Sequence, residues 1–281
     1  MLWRLPAIRL APDVIFNIGS FPVTNTLLCT WITIVVLLTL LYFGTRRQDL
    51  IPAGMQNLTE WAIELLLGLV ESVAGKEKGR RFFPLVATFF IFILFANLLD
   101  VLPGVDTIGA IEPAAKSHAF LGFLLFDYQY SNQIIPWIRP ATSDLNLTLA
   151  MALVSVVTTQ AFGFYWLGPK AQLGKYFNFH GPVDFFVGIV EIVSEVARII
   201  SFSFRLFGNI FAGSAVLAVF SFVLPFLADV AFIPLELFVA FMQALVFAML
   251  TLVFMEIATT GHGAESEHQA RKDQVEVSHA R

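Results

Sequence analysis

Seven polar residues recur at helical spacing inside one long apolar stretch. They are Glu191, Ser194, Glu195, Arg198, Ser201, Arg205 and Asn209, all within residues 183–224. At 100° per residue, a seven-residue step returns to within about 20° of its start. Glu191, Arg198 and Arg205 therefore share one line, with Ser194 and Ser201 beside it. Glu195 lies one turn from Glu191, and Asn209 one turn beyond Arg205. Such a polar stripe on an otherwise apolar helix is a candidate functional site. Carboxylates take up and release protons, hydroxyls and amides hold water, and guanidinium groups keep their charge at any working pH. Arg205 is the extreme case, because residues 206–228 after it and 201–204 before it are uncharged. A cation inside a membrane costs at least ~2.5–3.5 kcal/mol, so its presence points to function. The competing reading is an arginine near a helix end with its head in the interface. Glu195 and Arg198, three apart, also fit a plain intrahelical ion pair.

Other polar groups punctuate apolar sequence. Glu236 and Gln243 are seven apart and share a helix face. Glu236 has apolar neighbours on both sides, which favours the neutral acid and suits a group that binds and releases protons. A protonated carboxyl bonded to a neighbouring helix is its other reading. Asn97 and Asp100 sit near the end of one apolar run, where Asp100 also fits a solvated helix end. Ser143, Asp144 and Asn146 open another run, where Asp144 also fits a helix N-cap.

The elements that must position these groups are long and apolar. Residues 14–45, 82–99, 145–169, 206–228 and 237–255 carry no charge. A hydrocarbon core needs ~20 mostly apolar residues per crossing. The pattern predicts an all-α polytopic membrane protein with about five crossing helices, one amphipathic surface helix and no separate domains. Spans are expected at 25–43, 82–102 and 145–167, then at 183–224 and 229–259, with a cytoplasmic tail over 260–281. Residues 1–23, 103–143 and 168–182 read as irregular lead-in and connections. Over 53–75, Leu58, Trp61, Leu65, Leu69 and Val73 recur at three- and four-residue steps, with Glu60, Glu64 and Glu71 on other faces. That segment is expected to lie on the membrane surface. Forty-two helical residues over 183–224 would extend roughly 63 Å, twice the ~30 Å core. That helix, and the last one to a lesser degree, must therefore be strongly tilted.

Composition excludes other classes. The chain has 281 residues, 57 % of them hydrophobic and 14 % charged. Its mean hydropathy is +0.77. A soluble domain carries about 25 % charged residues. Lys+Arg numbers 17 against 21 Asp+Glu, with no basic block, which argues against nucleic acid as a partner. The single cysteine, Cys29, permits no disulfide within the chain. No phosphate-binding loop, H-E-x-x-H or G-x-S-x-G motif occurs, so no cofactor, metal site or enzyme constellation is expected. Arg and Lys concentrate in 44–81, 168–182 and the tail, which places the C-terminus in the cytoplasm and the N-terminus outside.

Arg205-Leu-Phe-Gly-Asn209, followed by Ala212-Gly213, resembles the signature of subunit a of F-type rotary ATP synthases. The stretches EIVSEVARIISFSFRLFGN, NLLDVLP, PATSDLNLTLAMAL, MQALVFAMLTLVF and NLTEWAIELLLGLVES are similar to its helices, and the likeness runs over roughly residues 50–260. The resemblance implies a membrane stator facing a ring of c subunits, with b-type peripheral stalk subunits and the rest of the synthase as partners. The host membrane would be a bacterial plasma membrane. Arg205 corresponds to the arginine opposite the ring carboxylate. Asn97, Asp100, Ser143, Asp144, Glu236, Gln243 and Asn209 match the inlet side of the proton path. Glu191, Ser194, Glu195, Arg198 and Ser201 match the cytoplasmic side. Many relatives carry an ionisable residue at the position of Ser214, paired with one at Glu236. Here only Glu236 ionises. A stand-alone ion or solute carrier using the same stripe is the alternative, separable by whether the chain purifies alone or with a ring and a soluble ATPase.

Overall fold

The computed structural model describes residues 12–46, 54–101, 109–112, 133–176, 182–223 and 227–260. Helices dominate: α1 (Asn25–Thr45), α2 (Met55–Val101), α3 (Leu145–Leu167), α4 (Pro169–Tyr176), α5 (Pro182–Val223) and α6 (Leu227–Thr259). Among the described residues, four helices are long and apolar enough to cross a bilayer: Asn25–Thr45, Met55–Leu99, Leu145–Leu167 and Phe232–Thr259. The chain forms two compact units, each assembled from pieces of several helices. One comprises Met1–Gln48, Ile91–Leu147 and Leu206–Gln243, and the other Asp49–Phe90, Thr148–Arg205 and Ala244–Arg281.

The first unit opens with an antiparallel hairpin, β1 (Val14–Ile18) against β2 (Phe21–Thr24). Its two-residue loop begins at Gly19 with φ 65°, a left-handed conformation that glycine adopts without a Cβ penalty. Thr24 then caps α1, its Oγ1 accepting from the backbone N–H of Leu27 at 3.3 Å. Asn25 Oδ1 accepts from Asp13 N at 3.2 Å and ties the strand lead-in to the helix start. A second hairpin pairs β3 (Gly109–Glu112) with β4 (Gln133–Pro136). Cys29, Ala96 and Ala141 form a buried core, with Leu99, Ile138 and Leu147 packed on it. Small residues there allow close backbone approach, which packs helices well where water supplies no hydrophobic drive.

The second unit packs on aromatic rings and hydroxyl pairs. Phe202 of α5 lies 5.2 Å from Phe247 and 5.7 Å from Phe254 of α6, ring centre to ring centre. Phe89 of α2 meets Phe247 edge-on at 5.2 Å, and Phe82 meets Phe162 of α3 at 5.0 Å. Thr148 of α3 shares a 3.2 Å hydrogen bond with Ser203 of α5, and Ser155 shares one of 2.9 Å with Thr251 of α6. All four hydroxyl residues are buried. Interhelical hydrogen bonds of this kind average about 0.6 kcal/mol in membranes.

Helix α2 is bent at Gly75, whose φ of 71° and ψ of 168° are non-helical. The bend separates a segment 55–74 from a segment 76–101, as the sequence pattern anticipates at residue 75. Segment 55–74 buries Gln56, Thr59, Leu66, Val70 and Ala74, and exposes Leu58, Trp61, Leu65, Leu69 and Val73. The apolar stripe read from the sequence therefore faces away from the protein.

Three expectations are corrected. The helix beyond the bend starts at residue 76 rather than 82, because the basic run to Arg81 continues it, so Pro84 sits inside the helix and not in its first turn. The connection 168–182 contains α4, with Pro169 at the first helical position, where a missing N–H costs nothing. The lead-in and the 103–143 connection hold hairpins where irregular chain is expected. The tail 261–281 and the side chain of Asp100 lie outside the described residues.

Candidate functional site

Within the first unit, α2, α5 and α6 enclose a cavity of about 270 Å³. Asn97 comes from α2, Asn209 and Ser214 from α5, and Glu236 from α6. The rest of the lining is apolar or small, including Val101, Gly213, Phe232 and Val239. Glu236 is half-buried and is the ionisable residue among those lining the cavity. Ser214 Oγ donates to the Ile210 carbonyl at 3.0 Å, one turn back on its own helix. Asn97 is 1 % exposed, and its Oδ1 accepts from the Thr142 hydroxyl. Its Nδ2 is buried and has no partner among the described residues. At liquid density the space has room for roughly nine waters.

Beside the cavity, Asn209 Nδ2 donates to Gln243 Oε1 at 2.6 Å, linking α5 to α6. Gln243 is buried, and its Nε2 is likewise unpartnered among the described residues. Asp144 sits elsewhere in the same unit, as the N-cap of α3. Its Oδ1 accepts from the Asn146 backbone N–H at 2.9 Å, and its Oδ2 accepts from the Thr26 hydroxyl of α1 at 3.1 Å. Ser143 is buried and donates to the Pro140 carbonyl at 2.8 Å. These two hold helix starts and do not line the cavity.

The second unit holds the other polar residues. Arg205 is half-buried, with its guanidinium carbon 6.0 Å from the centre of the Phe202 ring. Among the described residues no carboxylate forms an ion pair with it. Arg198 does pair: its Nη1 donates to both oxygens of Glu195, at 2.9 and 3.0 Å. The guanidinium also lies 3.9 Å above the centre of the Phe254 ring, so the intrahelical pair is held from the side by a cation–π contact. Ser194 and Ser201 are exposed, and Glu191 is half-buried.

A polar relay surrounds this pair. Gln160 of α3 is within hydrogen-bonding reach of Glu195 and of Tyr176 of α4. Gln172 of α4 is 1 % exposed and donates from Nε2 to Gln160 Oε1 at 2.8 Å. Gly163 makes room for it, because a Cβ there would stand 2.8 Å from Gln172 Nε2. Burial, and after it the charge of Glu195, push the Tyr176 phenol up to about 12, so its hydroxyl keeps its proton.

The model for "ATP synthase A chain" matches residues 27–256. An ATP synthase subunit a from Moorella thermoacetica is 32 % identical over 251 residues, covering 89 % of this chain and 98 % of the relative. One from Campylobacter jejuni subsp. doylei is 35 % identical over 222 residues, covering 77 % and 81 %. One from Gloeobacter violaceus is 30 % identical over 261 residues, covering 92 % and 93 %.

The chain belongs to the ATP synthase A chain family. The matched span of this A chain contains the cavity, Arg205 and the Gln160 relay, and leaves β1 and β2 outside. Of the residues singled out from the sequence, Asn97, Asn209 and Glu236 converge on one cavity, with Gln243 bonded to Asn209. Glu191, Glu195 and Arg198 gather around Tyr176 in the other unit. Sequence reasoning missed Thr142, Gln160, Gln172 and Tyr176. Gln160 was detectable, as a large polar residue in the charge-free run 145–169. Gln172 and Tyr176 were not, since polar residues in a short connection look like ordinary solvated loop.

Proposed function

We propose that this A chain is the proton-translocating stator of the ATP synthase membrane sector, working against a ring of c subunits and held by b-type stalk subunits. Family membership and four apolar helices support a multi-pass membrane subunit. The carrying observation is that Glu236, Ser214, Asn209 and Asn97 meet in one cavity of about 270 Å³. In this reading the cavity belongs to the inlet half-channel from outside, to whose path Asp100, Ser143, Asp144 and Gln243 are also assigned by the resemblance. Glu191, Ser194, Glu195, Arg198 and Ser201 form the cytoplasmic half-channel. Arg205 stands between the two and keeps them from joining.

The physics is that of a charge confined by hydrocarbon. A ring carboxylate faces lipid at acceptable cost only when neutral, and approaches Arg205 only when ionised. It therefore releases its proton on one side of Arg205 and regains one on the other. Each proton crossing the membrane potential supplies ~2.3 kcal/mol per 100 mV. Five crossings, with α5 as the fifth, put the N-terminus outside and the C-terminus in the cytoplasm of a bacterial cell. The two long helices α5 and α6 lie strongly tilted along the rotor. Segment 55–74 lies on the membrane with its exposed Leu58, Trp61, Leu65, Leu69 and Val73 in lipid. The deciding experiment is Arg205→Ala in native membranes. Proton-driven ATP synthesis is expected to vanish while the complex still assembles. Synthesis that persists under a normal proton gradient refutes the proposal.

A further inference from the structure

At the end of the second unit where α3 terminates, two cations of α2 meet two aromatic rings that the proton path does not use. Arg81 lies with its guanidinium carbon 5.1 Å from the centre of the Trp166 ring and 5.8 Å from that of Tyr165. Its Nη1 donates to Tyr165 Oη at 3.2 Å. Lys78, three residues earlier and so on the same face, has its Nζ 5.9 Å from the Trp166 ring. The two cations differ in how they are satisfied. Lys78 pairs with Glu256 of α6 at 2.9 Å, and nearby Arg80 pairs with Glu71 at 3.1 Å. Arg81 is exposed and has no carboxylate partner among the described residues.

Position identifies what such a cation meets. Arg81 is the last charge before the uncharged run 82–99, so it stands at the edge of the hydrocarbon layer. Tyr165 and Trp166 are the residue types that settle at the same level in membrane proteins. Tyr165 is 70 % exposed, and Phe164 and the stripe residues Leu69 and Val73 are exposed as well. Phosphate oxygens are the anions found at that depth, and the guanidinium fork matches them with two parallel donors. One of its five N–H groups is spent on Tyr165, and the Trp166 and Tyr165 rings lie 5.1 and 5.8 Å from the guanidinium carbon, leaving the other donors free. A free anion gains nothing from the apolar flank, whereas a phospholipid fills it with acyl chain.

We propose that Arg81, held against Tyr165 and Trp166, binds the headgroup phosphate of an anionic phospholipid in the leaflet that this end of the helices meets. The site is independent of Arg205 and of the half-channels. The test uses the intact ATP synthase complex, delipidated in detergent and titrated with phosphatidylglycerol, phosphatidylcholine or inorganic phosphate, with bound lipid counted by native mass spectrometry. Wild type is expected to hold one more phosphatidylglycerol than Arg81→Gln at matched concentration, with affinity at that position weakened roughly fivefold. Arg81→Lys keeps the charge but loses the planar two-donor fork and is expected to weaken binding about threefold. It is read in place of Arg81→Gln if the latter fails to assemble. Equal retention by wild type and the assembled variants overturns the proposal. So does equal binding of phosphatidylcholine. Full displacement by millimolar inorganic phosphate also overturns it, by showing a free-anion site.

Discussion

Replacing Glu236 by Gln keeps the size and hydrogen-bonding capacity of the side chain while removing the ionisable group from the cavity lining. The structure sets the scale of the effect. One carboxyl in about 270 Å³ is a local proton-carrier concentration of roughly 6 M. Without it, the cavity is fed by hydronium alone, which at neutral pH is scarcer by many orders of magnitude. A positioned acid–base group contributes about 10²–10⁴-fold in comparable proton transfers. We therefore expect Glu236→Gln to lower proton-driven ATP synthesis about 100-fold at external pH 7–8. The residual rate should rise about tenfold for each unit of external acidification, because supply becomes first order in hydronium. Acid–base transitions on proteoliposomes, with the internal pH clamped, measure both quantities. Ser214 lines the same cavity, so the double variant Glu236→Gln with Ser214→Glu should recover much of the rate and flatten the pH dependence. Synthesis within twofold of wild type, or an unchanged external pH profile, refutes the assignment of this cavity as the inlet.

Three further perturbations follow from the geometry. Gly163→Ala puts a Cβ 2.8 Å from Gln172 Nε2, so the amide must shift and its part-buried hydrogen bond to Gln160 is weakened. Up to about 0.5–1.5 kcal/mol of stability should go with it, visible as a lower midpoint of thermal inactivation of the complex. Gly75→Ala forces a side chain into φ 71° and ψ 168°, a conformation essentially reserved for glycine, at a cost of about 1–3 kcal/mol, and reduced assembly yield should report it. Tyr176, raised to about 12, keeps its proton in the folded chain while the unfolded phenol ionises near 10. The folded state thus binds more protons in that window, and this contribution to stability falls as pH rises from about 10 to 12. In an ultraviolet titration of tyrosinate, Tyr176→Phe should remove a component from the top of the curve; loss of one from the middle contradicts the burial argument.

How legible these features were depends on whether they are local. Helix α3 could be read to the residue, because Asp144 supplies a cap signal and an uncharged run follows it. The end of the amphipathic segment at residue 75 was readable because its pattern stops there, whereas the basic run 76–81 read as connection and is helix. Helix α4 was not readable, since eight residues with weak propensity are held by Gln172 in the notch at Gly163, a contact between elements. For the candidate site, residue type and spacing singled out Glu236, Asn97 and Asn209, while the resemblance alone drew attention to Ser214. That Glu236 and Ser214 share a cavity depends on how α5 packs on α6, which neither helix specifies alone. For Asp144 the sequence left a helix cap open beside the proton-path role that the resemblance implies, and its hydrogen bonds are those of a cap.

The buried hydroxyl pairs on α3 have a mechanical consequence. Thr148 bonds Ser203 of α5, and Ser155 bonds Thr251 of α6, two turns apart along one helix. A hydrogen bond tolerates a few tenths of an ångström of displacement, while axial slip by one residue is about 1.5 Å. Sliding either neighbour along α3 by a single step would break its interhelical bond, although Thr251 keeps its 2.9 Å bond to the Phe247 carbonyl of its own helix. Apolar ridges alone resist separation far better than shear. Within the second unit these pins hold α3 in register with α5 and α6 against load directed along the helix axes.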